Sequence, residues 1–186
     1  MKINLGSGFK NPTGFLTIDH DQNTNPDYCL DLEKDTLPFE DNSVEEVMAH
    51  HILEHLGDGF FHTLQEIYRV CKNGAIINVV VPHHRHEYFL NDPTHKRPIT
   101  IDGMALFNKK YNDHCKSIND SASKLGYFYN VDFEIVWVDL IPNPKYIPLY
   151  NQSLSDPKMR SILDQVLSEC NNVIIETHFK MMVIKN

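Results

Sequence analysis

His51, Glu54 and His55 stand at i, i+3 and i+4, a spacing that puts all three on one face if the segment is helical. Two imidazoles and a carboxylate on one face are half of a divalent-metal site; without an ion they are proton acceptors beside an acid. A further ligand must come from another segment, and the polar run Asp92-Pro93-Thr94-His95-Lys96 offers His95. His51, Glu54, His55 and His95 are therefore the metal candidates, and His55, His95 and Glu54 the catalytic ones. Two other readings use the same residues. The segment can be a helix packed on the sheet with its polar groups simply hydrogen-bonded and no metal, or it can be the H-x-x-E-H pattern of a zinc-dependent hydrolase, with Glu54 activating water. Six of the eleven histidines fall in His50-His51 or among His83, His84, His86 and His95, so the chemistry-bearing residues are concentrated.

A second constellation lies near the N-terminus. Gly6-Ser7-Gly8 follows a short apolar run, Asp19 ends the next one, and Asp31 ends a third. Glycines let a backbone approach a ligand closely, and an acid at a strand end can accept both hydroxyls of a ribose. Three successive strands ending in ligand-type residues describe a nucleotide-type pocket. Its candidates are Leu5, Gly6, Ser7, Gly8, Asp19, His20, Asp31, Leu32 and His50. Each acid taken alone would be an ordinary turn or cap residue.

The elements that must position these residues read as one α/β domain. Short apolar runs at Lys2–Leu5, Phe15–Ile18, Tyr28–Leu30, Val44–Ala49 and Ala75–Val81 predict parallel strands. A helix is expected from His51–Leu56, continuing through Phe60, Leu64, Ile67 and Cys71 and capped at Asn73-Gly74. Ile101–Phe107 predicts a short helix. Val131–Trp137 alternates as a strand, Asp156-Pro157 opens a helix, and Val173–Ile184 closes the sheet with a bend near Thr177-His178. The domain spans residues 1–186, with residues 1–82 as the cofactor half and 83–186 as the substrate side.

The chain has 186 residues, of which 41% are hydrophobic and 23% charged, as expected of an ordinary globular domain. Residues 1–66 carry 13 acids against 3 bases, which disfavours a broad duplex-binding surface but not a terminal sugar or nucleotide held in one pocket. No apolar run reaches membrane-spanning length, and the N-terminus lacks a signal-peptide pattern, so a cytoplasmic location is expected. Cys29, Cys71, Cys115 and Cys170 are widely spaced and expected to be reduced and mostly buried.

Asn4-Leu5-Gly6-Ser7-Gly8, Gly14-Phe15-Leu16-Thr17-Ile18-Asp19, Asp31-Leu32, Leu37-Pro38-Phe39-Glu40-Asp41-Asn42-Ser43 and His51-Ile52-Leu53-Glu54-His55-Leu56 together resemble a class I S-adenosylmethionine-dependent methyltransferase. The similarity is close over residues 2–82 and looser to Phe107. It implies a Rossmann-like, mostly parallel sheet with an antiparallel C-terminal edge strand. It places the methionine part at Gly6, Ser7 and Gly8, the ribose at Asp19 and the adenine at Asp31-Leu32. Only about six residues separate Gly8 from the second strand, so the usual first helix is short or missing. That departure also fits an adenosyl-binding module without activity. Metal-dependent O-methyltransferases of ubiquinone biosynthesis and of small-RNA 3′ ends carry E-x-x-E-H here. With His51 in the first position, the set shifts from Mg²⁺ or Mn²⁺ toward Zn²⁺ or Fe²⁺. The resemblance thus implies methyl transfer to a small-molecule or end-group acceptor, with oxygen favoured.

Overall fold

The structure is a computed structural model and describes residues 1–185. Seven strands form one sheet: β1 (Lys2–Leu5), β2 (Leu16–Asp19), β3 (Tyr28–Cys29), β4 (Val44–His50), β5 (Cys71–Pro82), β6 (Phe133–Pro142) and β7 (Ile174–Val183). Their order is β3-β2-β1-β4-β5-β7-β6. The first five pair in parallel, and β7 runs antiparallel between β5 and β6. The C-terminal strand is antiparallel, as the resemblance implies, but it lies one place in from the edge, with β6 outside it.

Side chains alternate sharply between the two faces. Ile3, Leu5, Val47, Ala49, Ile77, Val79, Phe179 and Met181 are buried on one face. Helix α1 (Phe60–Val70) supplies Phe60, Leu64, Ile67 and Val70 to the same core. On the other face Glu46, His50, Asn78 and His178 are half-buried and Lys180 is exposed. Parallel sheets normally carry helices on both faces. Here β1, β2, β3 and β4 are joined by loops and a single 3₁₀ turn, so none of these three connections supplies an α-helix to the second face. The expected loss of the first helix is therefore complete, and it extends to the next two connections.

Several boundaries differ from the sequence expectation for local reasons. No helix joins His51 to Leu56. His51 has φ of 53°, and only Leu53–His55 forms a 3₁₀ turn. Helix α1 ends on Cys71, which is already extended, instead of at Asn73-Gly74. Gly74, at φ 78°, lies in a bulge where the β4–β5 register jumps from Val44 opposite Cys71 to Glu46 opposite Ile76. Strand β7 is unbroken through Thr177 and His178; the irregularities lie at Ile135/Trp137 and Ile141/Pro142 of its partner. Short helices follow β5: α2 (Glu87–Asn91), α3 (Ile101–Ala105), α4 (Lys109–Ser117) and α5 (Leu125–Phe128). Between β6 and β7 come α6 (Ile147–Ser153) and α7 (Pro157–Glu169). Arg85 donates to the Leu167 and Ser168 carbonyls, tying the last turn of α7 to the loop after β5. All four cysteines are free; Cys71 and Cys115 are buried, whereas Cys29 and Cys170 are exposed, contrary to expectation. Burial pushes the Cys71 thiol up to about 12, so it stays protonated and inert.

His83 opens the loop after β5 and makes folding sensitive to acid. Burial, aided by His84 and Arg85, pushes its imidazole down to about 4, and its Nδ1 accepts the Arg85 N–H. Its folded value lies below the ordinary ~6.5. Its stabilisation is thus complete above that pH and lost as pH falls toward 4. Denaturant midpoints should fall over this window, and His83→Gln should flatten the slope. An unchanged slope in that variant would assign the acid sensitivity to other groups.

Candidate active site

The carboxyl ends of β1, β2 and β4 surround a cavity of about 220 Å³ lined by Gly6, Asp19, His20, Asp31, Leu32 and Ile52, with Leu30, Glu33, His55 and Leu56 completing it. Gly6 has φ of 60°, and a Cβ there would lie 2.7 Å from the Ile52 side chain. The backbone and Ile52 thus pack with no room for a side chain, leaving the loop's main chain open to a ligand. Asp19 is buried and organises this loop. One carboxylate oxygen accepts Gly8 N–H at 2.7 Å and the other accepts Asp21 N–H at 2.9 Å. Each oxygen keeps a second lone pair for a ribose hydroxyl.

Asp31 behaves differently. Its oxygens accept Glu33 N–H and the Lys34 ammonium, which holds the carboxyl below the usual range. Glu33 has no counterpart among the sequence candidates, yet it braces the site. Its Oε2 accepts Gly57 N–H and Gly59 N–H, anchoring the start of α1 beside the cavity. A carboxylate at a helix N-terminus is a stabilising placement, and Gly59 has no space for a Cβ beneath it. Of the remaining cofactor candidates, Leu5 is fully buried in the core and Ser7 is buried with its N–H on the Ile18 carbonyl. Neither lines the cavity. His50 faces a different hollow on the open sheet face, of about 410 Å³, with Lys10, Asn78, Trp137 and His178.

A neighbouring cavity of about 260 Å³ is lined by His51, Glu54, His55, Tyr88, Asp92 and His95, together with Pro82, Ile175 and Glu176. His55 is common to both cavities. Glu54, His55 and His95 each offer one ligand atom, and these atoms lie within 4.8 Å of one another. Backbone bonds bring them together: Lys96 N–H donates to the Glu54 carbonyl at 2.7 Å, and Arg97 donates to the Leu56 and Gly57 carbonyls while lying over the Phe60 ring. Arg97 is thus a strap between two loops.

His51 departs from the expected metal set. Its left-handed backbone turns the ring away, with Nδ1 3.4 Å from Glu54 Oε1 and Nε2 3.3 Å from Glu176 Oε1. The Glu54 carboxylate, more than Glu176, raises its pKa. His51 and His55 therefore do not act as the paired ligands that the H-x-x-E-H pattern of a zinc hydrolase requires.

The comparisons with known proteins agree with this arrangement. A family model described as a methyltransferase domain matches residues 13–79. The fold is that of a methyltransferase from Archaeoglobus fulgidus dependent on S-adenosylmethionine, at TM-score 0.60, with 15% identity, over 97% of this chain and 85% of that one. Residues 13–79 are thus similar to a methyltransferase domain, within a chain that has the fold of S-adenosylmethionine-dependent methyltransferases. A second member of this superfamily's fold, from Mesorhizobium loti, aligns at TM-score 0.53 and 12% identity over 97% of this chain and 89% of that one. The [4+2]-cyclase SpnF also shares the methyltransferase fold, at TM-score 0.54 and 13% identity, over 100% of this chain and 74% of that one. Among curated proteins none matches the sequence. Family match and fold support S-adenosylmethionine as cofactor and methyl transfer as activity. Among the described residues no helix is long and apolar enough to cross a membrane.

Proposed function

We propose that this methyltransferase transfers a methyl group to a hydroxyl oxygen of a small-molecule or terminal sugar or nucleotide acceptor, assisted by a metal ion at Glu54, His55 and His95. The observation that carries the reading is the sharing of His55 between the glycine-loop cavity and the histidine cavity. A cofactor in the first and an acceptor in the second would meet at this side chain. The bound cofactor supplies a methyl group activated on a sulfonium, which leaves sulfur as its carbon bonds to oxygen. Positioning supplies most of what such a displacement needs, and the paired cavities supply the positioning.

The residues of this chain handle the proton. His55 Nδ1 bonds to Thr94 Oγ1 at 2.9 Å and His95 Nδ1 to the Phe89 carbonyl at 2.7 Å, so each ring presents Nε2 to the acceptor cavity. With no ion on these nitrogens, either can take the hydroxyl proton as the carbon–oxygen bond forms; with an ion on them they would be its ligands, and the proton would pass to solvent. A metal ion would lower the pKa of a bound hydroxyl and stabilise the developing alkoxide. SpnF shows that this fold also serves other chemistry, so the test must read both binding and transfer.

Calorimetric titration should show micromolar binding of both S-adenosylmethionine and S-adenosylhomocysteine. With a methyl-labelled cofactor and hydroxyl-bearing acceptors, His55→Ala should lower turnover by about 10²–10⁴-fold, the usual contribution of a general base. Folded protein that binds neither nucleotide would overturn the reading. Binding with label recovered only on nitrogen acceptors would overturn the choice of oxygen.

A further inference from the structure

The connections among β1, β2, β3 and β4 give the second sheet face no helix, and a hollow of about 410 Å³ lies there, larger than either cavity of the candidate active site. Strand register sets its floor. Asn78 pairs with Lys180 and Lys180 with Trp137, while His50 pairs with Val80 and Val80 with His178. Lys10 joins the wall from the loop after β1. Its backbone is fixed there, with its N–H on the Ser7 carbonyl at 2.9 Å and its carbonyl on the buried Asn4 side-chain amide at 3.3 Å.

The charges of this hollow are unevenly matched. Glu176, its one acidic lining residue, lies between His51 Nε2 at 3.3 Å and His178 Nε2 at 2.7 Å. Glu46, nearby on β4, is engaged by Lys2 at 2.6 Å and by the Asn78 amide at 3.0 Å. Among the described residues neither Lys10 nor Lys180 is paired with a carboxylate. The Lys180 ammonium instead lies over the Trp137 ring, 5.5 Å from its centroid, where a π face holds a cation without cancelling its charge. His50 senses the imbalance. Its pKa is lowered first by burial and then by His51, Lys10 and His178, with Glu176 the smaller opposing influence. A concave site with two uncompensated ammonium groups attracts anions.

We infer that this hollow is the anion subsite of the acceptor, where Lys10 and Lys180 hold a phosphate group, so that the acceptor is a phosphorylated hydroxyl compound. Continuity assigns the anion to the acceptor, because His51 and Glu176 line both this hollow and the acceptor cavity. The carboxylate of the cofactor is the competing source. Its cavity, however, lies at the ends of β1, β2 and β4, and β7 with Lys180 is two places beyond β4, about 10 Å across the sheet. Two ammonium groups match a phosphate dianion better than a single carboxylate. The inference deepens the oxygen-methylation reading by giving the acceptor its charge. Its binding test involves no methyl transfer, so failure of one is distinguishable from failure of the other.

Trp137 is the only tryptophan in the chain, so its emission reports on this hollow. At constant ionic strength, glycerol 3-phosphate should change that emission saturably, glycerol should not, and glycerate should bind at least about 10-fold more weakly. Lys10→Met and Lys180→Met should each weaken glycerol 3-phosphate binding by about 10–100-fold, the scale of one hydrogen bond to a charged group, and Lys180→Arg should retain it. Because Lys180→Met also changes the surroundings of Trp137, its affinity is read by titration calorimetry. Both lysines are exposed, so these variants fold. Affinity for S-adenosylhomocysteine should be unchanged in Lys180→Met. Emission that follows ionic strength alone, undiminished phosphate binding in either methionine variant, or glycerate bound as tightly as the phosphate would overturn the assignment. A parallel loss of S-adenosylhomocysteine affinity in Lys180→Met would also overturn it, by giving the hollow to the cofactor.

Discussion

Asp19→Ala lowers affinity for S-adenosylhomocysteine by about 100-fold or more in the expected result, since hydrogen bonds to a charged group contribute roughly 1.5–3 kcal/mol each. Two losses combine. The ribose hydroxyls would lose their acceptor, and Gly8 N–H and Asp21 N–H lose the carboxylate that holds the glycine loop shut over β2. Asp19→Asn separates them. Its amide oxygen can still accept one backbone N–H, but its NH₂ would face a second donor where the carboxylate had an acceptor. The asparagine variant should therefore retain most of the fold's stability and lose most of the affinity. Titration calorimetry beside thermal unfolding reads both quantities. Unchanged affinity in a folded Asp19→Ala would remove the residue from the cofactor site and leave it a loop brace.

Gly6→Ala should be the most damaging single methyl that can be added to the cofactor half. The position has φ of 60°, a region in which an L side chain is strained, and the new Cβ would meet Ile52 Cδ1, Cγ1 and Cβ at 2.7–2.8 Å. Because Cβ is fixed to the backbone, a rotamer change of Ile52 cannot relieve the clash. Together the strain and the overpacking should destabilise by about 2–4 kcal/mol. Ile52 also lines the cavity proposed for the cofactor, so what does fold should bind the nucleotide poorly. The double variant Gly6→Ala with Ile52→Ala should recover only the part of the clash due to Cγ1 and Cδ1, since Cβ of residue 52 stays at 2.8 Å, and none of the part due to φ. A Gly6→Ala protein with unchanged urea midpoint would show that the loop relaxes freely.

The strand order of the cofactor half was legible because its cues are local. Each of β1, β2 and β3 is a short run that ends on or within two residues of a glycine or an acid, and Asp41-Asn42-Ser43 marks the start of β4. Ile52 and Glu33 were not legible. Ile52 stands only as a spacer inside His51–Leu56 and Glu33 in no motif, and both matter through distance: Ile52 through its approach to Gly6, Glu33 through two N–H groups more than twenty residues away. The helix expected over His51–Leu56 failed for a related reason. The i, i+3, i+4 spacing suits a helix, but His51 follows directly from β4, with its N–H on the Val80 carbonyl of β5. Sheet pairing held that residue, and the chain turned through a left-handed backbone to leave it.

The same contrast separates the two constellations. Gly6, Asp19 and the carboxyl ends of consecutive strands are placed by the chain's own order, since parallel strands put their ends on one side of a sheet whatever else happens. His95 belongs with Glu54 only because Lys96 N–H closes on the Glu54 carbonyl and Arg97 straps the loops together across some forty residues. Residue types and spacing by themselves determined the fold, the resemblance to methyltransferases and the candidacy of the strand-end residues and of Glu54, His55 and His95. Tertiary structure alone decided that His51 faces Glu176, that both Nδ1 atoms are engaged and that the Glu54 carboxylate is fully buried beside His51. Those are properties of burial and long-range contact, which no local pattern encodes.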